Sequence, residues 1–291
     1  MQIFRRAENP WGQDVLLGIA WDLVWVAILA GALFLVVHAL IAARRRRASG
    51  ATASSAATDA LARADHSARV VRHPAGARLF HWTMAAAMLV LLATAFVPVM
   101  GLQFDWVTIH WIAGLALIAT IVWHILQALF WQNLRNVWIG AEDVREGMQE
   151  LSHFVGGGAA PARKPGKYPV AQKFFHHVAT VAALAAVVTG LLMMVRIDTP
   201  LFRQNQYLLD DGTWGLVYVL HGLGGVLLIT LVIAHVYFAI RPEKRWLTRS
   251  MLKGWITRDE YLAHHDPQRW QAATAAPEPD ANARPVASAG A

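Results

Sequence analysis

Residues 110–124 read HWIAGLALIATIVWH and residues 221–235 read HGLGGVLLITLVIAH, so His110 and His124, and again His221 and His235, stand fourteen residues apart across an apolar run. At 100° per residue, fourteen steps give about 1400°, within roughly 40° of whole turns, so both imidazoles of a run point to nearly the same face of a helix. At 1.5 Å rise they sit about 21 Å apart along the axis, one near each side of a hydrocarbon core about 30 Å thick. Neutral imidazole is a good iron ligand, and an ionisable residue inside a membrane is costly and usually functional. A lone histidine of this kind most often hydrogen-bonds a neighbouring helix. Four in doubled register point instead to two stacked bis-imidazole haem sites.

The composition agrees with a lipid setting. Of 291 residues, 56% are apolar, 15% are charged and thirteen are tryptophan, the profile of a multi-span membrane protein. The chain has no cysteine, which excludes disulfides, cysteine-ligated iron–sulfur clusters and covalent c-type haem attachment. Any iron is left to histidine or methionine. The net charge of +7 would suit a nucleic-acid partner, but the basic residues cluster beside hydrophobic runs, as expected of cytoplasmic loops, so no nucleic acid is expected. The sequence has no nucleotide-binding loop, nucleophile triad or closed zinc motif.

Five apolar segments are long enough to span: about Val15–Ala42, Leu79–Met100, Val107–Trp131, Gln172–Val195 and Gly215–Ile240. The first ends in Arg44–Arg47 and is too long for a signal-peptide core, so it reads as a retained helix. Ala48–Thr58 then reads as a flexible linker and, with Arg63, Arg69 and Arg72, as a basic cytoplasmic segment. The loop Gln132–Ala171 carries Arg135, Arg163, Lys164 and Lys167, whereas Pro98–Val107 has no Lys or Arg and Arg196–Trp214 sets three Asp against two Arg. With Arg241, Lys244, Arg245, Arg249 and Lys253 after the last span, this pattern predicts the N-terminus outside and the C-terminus inside. Arg5 and Arg6 run mildly against it. The chain divides into 1–78, an N-terminal transmembrane helix with a basic linker; 79–262, a four-helix di-haem bundle; and 263–291, a cytoplasmic tail expected to be largely disordered.

In this topology the third and fifth spans are parallel, so His110 and His221 share the outer layer. His124 and His235 lie in the inner layer, where His81 and the pair His176–His177 join them, and charge and spacing leave the partner of His235 open among His81, His124, His176 and His177. His38 has no partner at the right depth and reads as interfacial. His66, His73, His153, His264 and His265 fall in loops or the tail, where solvation is the default. Gly114, Gly222, Gly224 and Gly225 follow His110 and His221 within about a turn, which suits a flat macrocycle and close helix packing equally.

The stretches Arg78-Leu79-Phe80-His81-Trp82, Ile109-His110-Trp111-Ile112-Ala113-Gly114, Leu220-His221-Gly222-Leu223-Gly224-Gly225 and Ala234-His235-Val236-Tyr237-Phe238-Ala239 are similar to those of the cytochrome b (gamma) subunit of membrane-bound formate dehydrogenases and its relatives in thiosulfate reductase and nickel–iron hydrogenase complexes. Gly166-Lys167-Tyr168 with Gln172-Lys173, and Lys253-Gly254 through His264-His265-Asp266-Pro267 and Trp270, strengthen the resemblance to the formate branch. Coverage runs from about Arg72 to Trp270. The resemblance implies an all-α membrane bundle carrying two haem b groups, an outer one on His110 and His221 and an inner one on His81 and His235. His124 is then an extra inner-layer histidine, near quinone or a rival ligand, and Arg78 and Arg241 flank the inner layer as candidates to neutralise haem propionates.

The resemblance further implies an inner-membrane anchor subunit that passes electrons from an iron–sulfur subunit, itself served by a molybdenum or tungsten catalytic subunit, to quinone near the cytoplasmic face. The family places an Asn and a Gly after the Lys-Tyr pair at the quinone site. Here Pro169 and Ala171 occupy those positions. Rival readings are a free-standing b561-like cytochrome linked to quinone, a thiosulfate, polysulfide or hydrogen-oxidising complex, and a haem-free transporter or scaffold whose histidines relay protons.

Overall fold

The computed structural model describes residues 3–48, 69–156 and 163–272. The expected flexible linker from residue 49 and the tail beyond residue 272 lie outside the described residues. Five helices are long and apolar enough to cross a membrane: α1 (Asp22–Ala48), α2 (Ala75–Phe96), α3 (Trp106–Trp131), α5 (Val170–Met194) and α6 (Asp211–Ile240). A helix satisfies its own backbone groups, which is what a hydrocarbon solvent demands. Outward-facing Leu89, Leu129, Val181 and Leu216 stay exposed, as lipid-facing side chains do.

The first apolar run divides. Val15–Ile19 belongs to a strand, β2 (Asp14–Ile19), paired antiparallel with β1 (Phe4–Glu8), and the helix starts only at Asp22. Asn9 turns this hairpin by accepting from the backbone N–H groups of Trp11 (3.1 Å) and Gln13 (2.9 Å), and Gly12 takes φ 77°. The hairpin lies on the first half of α6. A Cβ at Gly215 would stand 2.5 Å from Leu16 Cβ, and one at Gly222 would stand 2.9 Å from Ile19 Cγ1. Ile19 and Val24 continue into a cluster with Val219 and Val226, and so α1 is laid along α6.

The other four spans form two hairpins. α2 packs closely on α3, and α5 on α6, whereas the hairpins meet each other sparsely, α3 against α5 and α2 against α6. Pro74 and Pro169, extended at ψ 160° and 157°, start α2 and α5, where a missing N–H costs nothing. The loop expected between the third and fourth spans contains an amphipathic helix, α4 (Ala141–Val155). Its Asp143 accepts from Gly140 N–H (2.9 Å) and pairs with Lys173 (2.8 Å), placing negative charge at the helix's positive end.

Beyond α6, α7 (Arg245–Lys253), strand β4 (Trp255–Thr257) and α8 (Arg258–His264) fold back. β4 pairs with β3 (Arg69–Val71), ahead of α2. Val70, Ile256, Tyr261 and Trp270 form the core of this cap. Residues 69–74 and 263–272 therefore belong to one packed unit with the ends of the bundle, where the sequence suggested a linker and an open tail.

Candidate functional site

Inside the bundle the histidines come together in pairs. The rings of His110 (α3) and His221 (α6) have centroids 6.1 Å apart, and those of His81 (α2) and His235 (α6) are 6.2 Å apart. Imidazole nitrogen bonds a metal at about 2 Å, so two imidazoles on opposite sides of one ion have centroids roughly 6 Å apart. Both pairs have that separation. In the inner layer His235 faces His81, while His124 faces His176 at 6.3 Å and stacks on Phe80 at 4.1 Å. His177 is turned to its own helix, with Nδ1 2.8 Å from Lys173 O.

The outer pair has a defined tautomer. Thr94 Oγ1 donates to Val90 O (2.8 Å) and Thr189 Oγ1 to Ala185 O (2.6 Å), so each hydroxyl has its lone pairs left for an imidazole N–H. His110 Nδ1 lies 2.7 Å from Thr94 Oγ1; His221 Nδ1 lies 3.0 Å from Thr189 Oγ1 and 3.0 Å from Ala186 O. A carbonyl only accepts, so the His221 proton sits on Nδ1 and the lone pair on Nε2. Fixing the far nitrogen in this way is how a protein aims a metal-ligating histidine. Neither threonine stood out in the sequence on its own, yet each follows a Phe-His pair by the same count: His81 to Thr94 and His176 to Thr189 are both thirteen residues.

The inner pair is held by rings. Phe175 stacks on His235 at 5.3 Å, and Trp82 stands edge-on to His81 while its indole N–H donates to Met251 O (3.3 Å). Arg78, one turn before His81, donates from Nη1 to Leu252 O (2.6 Å), and its Nε is buried without a partner. Arg241 is engaged elsewhere: it pairs with Glu243 and donates to His38 Nδ1 (2.9 Å) and the Tyr237 hydroxyl (3.3 Å). His38, expected to have no partner histidine at its depth, bonds Tyr237 and Arg241 at the end of the last span. Among the four glycines, Gly222 admits Ile19 and Gly224 lets Ala182 and Ala186 approach, whereas a Cβ at Gly114 meets nothing within 4 Å.

These features fit a bis-imidazole metal group. The donors are ring nitrogens at the right separation, the hairpins that carry them touch each other only sparsely, and Arg78 Nε, one turn before His81, has no hydrogen-bond partner. Residues 72–254 match the family model described as prokaryotic cytochrome b561. The chain belongs to that family. A search of curated proteins finds no match. As a prokaryotic cytochrome b561 the chain is a multi-pass bacterial membrane protein of electron transfer, and haem b is the group that b561 cytochromes bind.

The cap adds residues that sequence reasoning left in solvent. Arg72 is 1% exposed, donates to Lys167 O (2.9 Å), lies 2.8 Å from His265 Nε2, and is walled by Tyr168, Trp246 and Trp270. His265 Nδ1 reaches Gly166 O at 2.7 Å. His73 and His265 are buried, not solvated. Burial, with the Arg72 charge, pushes His73 down to about 3 and His265 to about 4. Burial and Arg72 also lower Lys167 to about 8.

Proposed function

We propose that the chain is the membrane-anchor cytochrome b subunit of a respiratory oxidoreductase of the formate dehydrogenase type, taking electrons from an iron–sulfur partner at the His110/His221 end and delivering them to quinone near the His81/His235 end. The observation that carries this reading is the pair of facing imidazoles at each of two depths, 6.1 and 6.2 Å between centroids. Two haem b groups bound there supply one-electron redox chemistry. His110 and His221 would hold one, with Thr94 and Thr189 fixing their far nitrogens, and His81 and His235 would hold the other, with Arg78, one turn from His81, as the candidate partner for its carboxylates.

The formate branch is favoured by where its sequence stretches meet. Gly166-Lys167-Tyr168 and His264-His265 are about a hundred residues apart in the chain, and they join through the 2.7 Å contact of His265 with Gly166 and the shared Arg72. A polar cavity of about 290 Å³ opens beside this segment, with Asn133, Asn136, Lys167 and Tyr168 in its wall. Its donors suit a quinone carbonyl although Pro169 and Ala171 replace the usual Asn and Gly. The basic residues around the cap support a reading in which this end faces the cytoplasm and the N-terminal hairpin faces the periplasm.

Purification from the native membrane tests the assignment. Co-elution with an iron–sulfur chain and a molybdenum or tungsten catalytic chain is expected, along with formate-driven reduction of the haems. A chain that elutes alone with full haem content and reduces quinone from a small donor would contradict the anchor role and leave a free-standing cytochrome.

A further inference from the structure

The two helical hairpins repeat one another. Arg72, Pro74, Arg78, Phe80, His81, Ala87 and Thr94 of the first stand where Lys167, Pro169, Lys173, Phe175, His176, Ala182 and Thr189 stand in the second, each pair ninety-five residues apart. In the following helices His110, Gly114 and His124 answer to His221, Gly225 and His235, each one hundred and eleven apart. Exchanging the hairpins maps the outer pair, His110 with His221, onto itself. It maps His81 with His235 onto His176 with His124.

The geometry obeys that exchange. His124 and His176 have centroids 6.3 Å apart, against 6.2 Å for His81 and His235. The flanking rings exchange too: Phe175, beside His176 in the chain, stacks on His235, and Phe80, beside His81, stacks on His124. His124 Nδ1 is buried with no hydrogen-bond partner, a state that costs free energy unless a ligand or proton acceptor meets the ring. Two imidazoles alone leave a free divalent ion short of donors, because such sites take four or more ligands. An iron that brings four equatorial nitrogens in a macrocycle needs no more than these two.

We infer that His124 and His176 form a second inner-layer bis-imidazole site, which takes a third haem b. The inference rests on the reading of the other two pairs as haem sites. One difference separates the twin inner sites: Lys173 is paired with Asp143, whereas Nε of its counterpart Arg78 has no hydrogen-bond partner, so the His124/His176 haem dissociates first.

The test is a haem count on the purified full-length chain after haem-replete expression, by pyridine haemochrome against polypeptide, with electron paramagnetic resonance of the oxidised protein. Three haems per chain are expected. His124→Ala and His176→Ala each leave two and erase the same low-spin signal, while His81→Ala erases a different one. Should the alanine variants fold poorly, His176→Gly with added imidazole regains the missing signal. A wild-type count of two overturns the third site, whichever histidines carry them, and leaves the two-haem reading standing. A count of zero removes both.

Discussion

Thr94 and Thr189 each hold the outward nitrogen of a histidine in the neighbouring helix while donating to a carbonyl of their own helix. Replacing both with valine keeps their shape and deletes the acceptor. Loss of such an orienting partner typically weakens metal binding about 10- to 100-fold, so Thr94→Val/Thr189→Val protein should release its outer haem to a haem scavenger faster by that order, with the inner signal unchanged. Equal release from both layers would refute the role. His73 and His265 make a second prediction at this scale. Both rings are held neutral, at about 3 and about 4 against the ordinary 6.5, so as pH falls the unfolded chain takes up protons before the folded one. The contribution of these two rings to the cap's stability is therefore full above about pH 6.5 and declines from there to about pH 3. The protection of the Val70 and Ile256 amides of the β3–β4 pair against hydrogen exchange, relative to the intrinsic rate at each pH, should fall over that window.

At the level of elements, the sequence made the four core helices plain, because their apolar runs are long and end at Pro or charge. Val15–Ile19 was hidden by its neighbours: an apolar run that flows into a span reads as more helix, and it is pairing with β1 and packing on Gly215 and Gly222 that make it a strand. The turn signal was nonetheless there in Asn9-Pro10-Trp11-Gly12. Gly215→Leu should therefore lift the hairpin, opening residues 3–19 to limited proteolysis while the spectrum of the bundle persists. An uncut variant would place the hairpin's anchorage elsewhere. The inner pairing was illegible for a different reason. His81, His124 and His176 share one depth, and which of them meets His235 depends on how the hairpins dock, not on spacing within a helix. The cap was missed because its buried polar pair, Arg72 and His265, is 193 residues apart, and either residue alone looks like a solvated end.

For the whole molecule, the hairpin at one end and the basic cap at the other give the protein a polarity that labelling can read. The natural chain has no cysteine, so single cysteines report cleanly. An impermeant maleimide added to intact spheroplasts should modify Tyr207→Cys, a 90% exposed position in the loop before α6, and should reach Leu252→Cys only after permeabilisation. The reverse pattern would invert the proposed orientation and put the electron donor's side in the cytoplasm. The central claim is that His110 and His221 grip one haem iron between the hairpins. Reduced-minus-oxidised spectra of the purified chain, taken beside His110→Ala and His221→Ala, address it directly: one haem equivalent should vanish in each variant, and it should be the same one. A wild-type chain without a Soret band after haem-replete expression, or variants with undiminished haem, would contradict it.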